Sequence, residues 1–166
     1  MGKVGKASIE FENMPYIREC ASVVGQKEGE GPLSEYFDKV IEDPMVGMNT
    51  WEEAESQLQK QVVDILLEKS GLEKKDIRYL FSGDLLGQLI ATSFGIQSFE
   101  IPLFGLYGAC STMGEAMSIA ATFVASGYAE NVIAMTSSHF ASAEKQFRYP
   151  LEYGNQRPLS ATWTVT

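Results

Sequence analysis

Three short apolar runs, at residues 77–81, 101–107 and 131–136, alternate with two stretches of helical spacing. In the first of those stretches Leu85, Leu86, Leu89, Ile90 and Phe94 recur at helical steps. In the second, residues 111–126, the pattern places Met113, Ala116, Met117, Ala120, Ala121 and Val124 on one face, with Gly127 as the stop. Strands joined through helices of this length run parallel, and right-handed crossovers lay the helices over the sheet. The predicted class is α/β, a mainly parallel central sheet flanked by helices.

Upstream, Thr50 opens a further helix. Thr50 and Glu53 have the spacing of a capping box, in which each side chain bonds an orphan backbone N–H of the other. Trp51, Ala54, Leu58, Val62, Ile65 and Leu66 follow as its apolar face, Lys69 lies in its last turn and Gly71 ends it. Residues 25–31 (GQKEGEG) and 43–49 read as loops, and the terminal SATWTVT alternates as a strand does.

The chain has 166 residues, the length of one domain or of a large piece of one, and 45% hydrophobic content supports a sizeable core. Its net charge of −9 disfavours nucleic acid and anionic membrane surfaces, both of which need clustered cations. No apolar run approaches the ~20 residues of a membrane span. The start, MGKVGKASIEFEN, lacks the apolar segment of a signal peptide. The two cysteines lie ninety positions apart and make no disulfide framework, so a soluble, intracellular protein is expected.

Cys110 follows Gly108 and Ala109 where a strand hands over to a helix. That junction belongs to the carboxyl edge of the sheet, where open α/β folds bind ligands. Unpaired N–H groups at a helix start suit a thiolate. A small buried filler fits the local pattern equally well. Asp84 ends another strand, either as the N-cap of the helix after it or facing the same crevice. His139, the sole histidine, follows the third strand and is the one side chain suited to proton shuttling near neutrality. Lys145, Arg148 and Arg157 form a cationic group that would match an anion, or else pair on the surface. Cys20 reads as a packing residue. No spacing suggests a zinc site or a phosphate loop.

The segments LLEKSGLEKKDIRYLFSGDLL, GACSTMGEAM and NVIAMTSSH resemble the first half of the thiolase-like fold of ketoacyl synthases and thiolases. More narrowly, GDLL, GACST, TSSH, QFRYPLEYG and the terminal TVT, taken in order, resemble the stage V sporulation protein AD family. The resemblance implies that residues 1–166 form the N-terminal half of a thiolase-like fold, ahead of a related second half. It also implies binding of dipicolinic acid (pyridine-2,6-dicarboxylate), or its calcium chelate, for uptake into the developing spore.

Cys110, Asp84 and His139 are then the expected ligand-binding residues, with no cofactor beyond calcium accompanying the ligand. The expected partners are other stage V sporulation channel proteins, with the protein peripheral to the inner forespore membrane and homodimeric in full-length form. The competing activity is that of an acyltransferase or condensing enzyme working through an acyl-Cys110 intermediate. Cys110 matches the nucleophile position of those enzymes; His139 matches no catalytic histidine of theirs.

Overall fold

The computed structural model describes residues 2–85 and 88–138. A short hairpin, β1 (Gly2–Val4) and β2 (Ser8–Glu10), is followed by an extended segment and a parallel pair, β3 (Val23–Gly25) and β4 (Lys39–Ile41). Part of the GQKEGEG stretch expected to be a loop instead closes one helical turn, α1 (Gln26–Gly29). Gly29 sits where a side chain would strike Val40, so that turn packs directly on β4.

Helix α2 (Trp51–Ser70) begins as expected. Thr50 accepts from the Glu53 N–H at 3.2 Å, and Glu53 accepts from the Thr50 N–H at 3.1 Å. It ends at Gly71, whose φ of 66° is the left-handed geometry glycine adopts without steric cost. Its innermost face is rotated from the expected stripe. Ala54, Glu55, Gln59, Val63 and Leu67 are buried, while Leu58, Val62 and Ile65 are only half-buried. Polar Glu55 and Gln59 occupy the interior because partners on other elements meet them, which periodicity does not register.

The main sheet has three parallel strands in the order β6 (Leu103–Gly105), β5 (Tyr79–Asp84), β7 (Val132–Ser137). The chain passes from β5 through α3 (Ile90–Ile96) to β6, then back across β5 through α4 (Thr112–Ala125) to β7. Reversing direction along the sheet while keeping one crossover hand requires helices on opposite faces. The packing agrees. Val63, Leu67, Ile96 and Phe99 cover Leu80, Ile133 and Met135 on one face. Ala116, Ala120 and Phe123 cover Phe81, Tyr79 and Ala134 on the other.

Two expectations shift. Strand β5 starts two residues later than predicted and runs on through Ser82, Gly83 and Asp84. A 3₁₀ turn at Lys74–Asp76 occupies the approach, and the strand's polar end is paired on the β7 side as far as Asp84 with Ser137. Of the helix expected from Leu85 onwards, Ile90–Ile96 is helical, and directly ahead of it Gln88 and Leu89 take left-handed φ values of 50° and 70°. Ile90 and Phe94 are exposed, and Ala91, Thr92, Gly95 and Ile96 form the buried face. On α4, Met113 and Met117 are likewise exposed, leaving Thr112, Ala116 and Ala120 inside.

Candidate ligand-binding site

The carboxyl ends of β5 and β6 meet at Gly83. A side chain there would collide with the Leu106 carbonyl oxygen and reach 3.0 Å from Thr112 Cγ2. Glycine therefore lets the chain leaving β6 cross directly over the end of β5. Leu106 stays in register by donating its N–H to Ser82 O at 2.8 Å. Three residues on, Ala109 holds a φ of 49°, a conformation that costs an L-residue roughly 1–2 kcal/mol. Strain of this kind concentrates at functional sites.

The strained residue delivers Cys110 to a 3₁₀ turn, Ala109–Ser111, immediately ahead of α4. Cys110 is exposed, so the buried-filler reading does not hold. It lines a shallow, largely open groove with Ser111, Gly114, Glu115, Ser118 and Ile119. Gly108 donates its N–H to Thr112 Oγ1 at 3.2 Å, bracing the turn from within. Ser111 Oγ lies 2.8 Å from Gly108 O and 2.7 Å from Glu115 Oε1. A carboxylate thus stands at the helix start, one turn beyond Ser111. Nothing in the sequence reading singled out Glu115. Its signal is a serine and a glutamate four residues apart in the first turn of a helix, a spacing that brings side chains together.

Asp84 lies at the same sheet edge but on the other face. Strand residues alternate, and Leu80, Ser82 and Asp84 point towards α2 and α3, whereas Phe81 and Gly83 point towards α4. Asp84 is fully buried. Its Oδ1 accepts from the Leu89 N–H at 3.2 Å, and its Oδ2 accepts from the Thr92 N–H at 3.2 Å and the Thr92 hydroxyl at 3.0 Å. The capping expected of Asp84 is present in displaced form, reaching a helix that starts at Ile90.

From Thr92 the bonding continues inward. Gln59 Nε2 donates to Thr92 Oγ1 at 3.0 Å and to Ser137 Oγ at 2.6 Å, and Ser137 Oγ donates to Glu55 Oε1 at 2.7 Å. Gln59 Nε2 thus stands at the branch of the network, donating to two hydroxyls that each donate to a carboxylate oxygen. This chain joins α2, α3, β5 and β7. Its sequence trace is Glu55 and Gln59 one turn apart beside an apolar stripe. Sequence reasoning missed them because it sorted that helix by hydrophobicity alone.

Cys20, expected to be a packing residue, is exposed; its carbonyl accepts from Lys69 at 2.6 Å in a tie between the extended segment and α2. His139, Lys145, Arg148, Arg157 and the SATWTVT strand lie outside the described residues. Among the described residues no group of three or more His, Cys, Asp or Glu could hold a metal, and no helix is long and apolar enough to cross a membrane.

The model of the stage V sporulation protein AD family matches residues 5–166. This chain belongs to that family. Stage V sporulation protein AD of Bacillus subtilis (strain 168) is 41% identical over 166 residues, an alignment that takes in 100% of this chain and 49% of the relative. The chain therefore spans about half the length of the curated relative it matches. Family membership supports a role in sporulation, and the parallel sheet with helices on both faces is compatible with a thiolase-like half.

Proposed function

We propose that the intact protein binds dipicolinic acid for its uptake into the developing spore, with Cys110 in the wall of the binding groove. The observation that carries this reading is the exposed Cys110 at the start of α4, in an open groove, within a chain of this family. The first N–H groups of a helix lack intrahelical acceptors and favour anions, so one ligand carboxylate would lie over the α4 start. His139, which follows β7, is proposed to complete the site as a donor.

Glu115 already places one carboxylate at that helix start, which opposes a bare dianion. A cation travelling with the ligand would offset the repulsion, so calcium belongs in the test. The protein would act beside the forespore membrane, passing its ligand to stage V sporulation channel proteins.

The test is calorimetric titration of the intact protein with dipicolinate, with and without calcium, alongside Cys110→Ala. Saturable binding by the wild type, weakened at least tenfold in the variant, is expected. Equal binding by both would remove Cys110 from the site. The strained Ala109 ahead of an exposed thiol also suits a nucleophile. In that second reading Cys110 Sγ attacks an acyl thioester, the coenzyme A thiol leaves, and an acyl-cysteine forms. A stoichiometric acyl adduct on Cys110, seen by mass spectrometry after incubation with acyl-coenzyme A, would replace binding with catalysis.

A further inference from the structure

We infer that Asp84 is a positioning residue for the Cys110 groove, acting through Leu89 and β6 and making no contact with the ligand. The inference rests on the reading of that groove as the binding site. Three observations lead to it. Asp84 has no exposed surface, and both its carboxylate oxygens are engaged by donors from Leu89 and Thr92. Its side chain lies on the face of the sheet away from α4. The turn it holds is one the chain would not adopt unaided, since Gln88 and Leu89 are both left-handed without being glycine.

What the held turn does is visible at Gly105. A Cβ on Gly105 would approach Leu89 Cδ1 to 2.7 Å, so Leu89 rests directly against the last residue of β6. Five residues later comes Cys110. On the opposite face Gly83, the neighbour of Asp84, supports Leu106 O and Thr112. The end of β5 thus grips the β6 exit from both sides: Gly83 by close approach from below α4, and Asp84 by fixing the turn that carries Leu89. Replacing Asp84 with asparagine would leave one acceptor oxygen and turn an NH₂ group towards donors. At least one of the Leu89 and Thr92 donors would lose its partner. The turn would relax, and with it the contact that aligns the Cys110 turn.

The experiment compares wild type, Asp84→Asn, Thr92→Val and Thr92→Ser in the intact protein. It measures the iodoacetamide alkylation rate at Cys110 by peptide mass spectrometry, with exposed Cys20 as internal reference, and dipicolinate affinity in parallel. Positioning predicts that Asp84→Asn and Thr92→Val each change the Cys110 rate at least threefold and leave Cys20 within a factor of 1.5. Thr92→Ser, which keeps the donor hydroxyl, returns the rate to the wild-type value. Dipicolinate affinity falls in the same two variants.

Loss of binding in Asp84→Asn with wild-type binding and alkylation in Thr92→Val would overturn the inference in favour of direct contact. Changes shared equally by Cys110 and Cys20, or a stability loss with no change at Cys110, would overturn it in favour of general support of the fold. If the wild type fails to bind dipicolinate, the proposed function falls, while the alkylation rates still decide the role of Asp84.

Discussion

Replacing Gly83 with alanine tests the close approach on which the groove is built. The added methyl would overlap the Leu106 carbonyl oxygen and lie 2.9 Å from the Leu106 carbonyl carbon and 3.0 Å from Thr112 Cγ2. The first two obstacles are backbone, so no rotamer change relieves them. The β6 exit must move off the end of β5 by about 1.5 Å to reach ordinary contact distance. The Leu106 N–H to Ser82 O bond, now 2.8 Å, would then be stretched beyond hydrogen-bonding range. Overpacking costs about 1–3 kcal/mol and the lost bond about 1 kcal/mol more, so destabilisation of about 3 kcal/mol is expected. Urea unfolding of the intact protein, followed by circular dichroism, measures it. A loss below about 1 kcal/mol at unchanged denaturant dependence would mean that β6 has room to shift, and that the close crossing is not what shapes the groove.

Other positions give separate tests. A Cβ at Gly114 meets nothing within 4 Å, so Gly114→Ala should stabilise α4 by up to about 1 kcal/mol in urea unfolding. It should nevertheless weaken dipicolinate binding, because the methyl enters the groove; unchanged affinity would move the ligand elsewhere. Thr50→Ala removes the capping hydroxyl of α2 and should cost about 1 kcal/mol by the same assay. The Lys69 ammonium, 2.7 Å from Asp38 Oδ1, holds the Asp38 carboxyl below its usual 3.8, with hydrogen bonds from Ser22 adding to the effect against partial desolvation. Asp38 in turn raises Lys69 above 10.5. The carboxylate's contribution is present above 3.8 and lost as pH falls through the lower folded value; the ammonium's is complete below 10.5 and lost as pH rises through the higher folded value. Lys69→Met should therefore show a small stability deficit at neutral pH that shrinks towards both extremes, while a deficit unchanged at both would assign Lys69 to packing.

Local signals sufficed where the physics is local. The Thr50–Glu53 box and Gly71 set the ends of α2 through bonds and backbone angles within a few residues, so each could be read from spacing. The alternation of apolar runs with helical stretches was enough to imply a parallel sheet, because a parallel pair cannot close without a crossover. The same pattern placed Cys110 at a strand-to-helix junction on the carboxyl edge. Which face each side chain takes depended on contacts between elements distant in the chain. Only packing shows that the apolar Met113 and Met117 lie outside and the polar Glu55 and Gln59 inside, since burial follows from available partners as much as from hydrophobicity. Asp84 and Cys110 share an edge in the sequence pattern, yet strand alternation and the Thr92 bonds turn Asp84 to the far face. The candidate thiol was legible in the sequence. The carboxylate beside it, and the buried bonding that connects Asp84 to its surroundings, came from tertiary structure, because hydrogen-bond partners tens of residues apart leave no periodic trace.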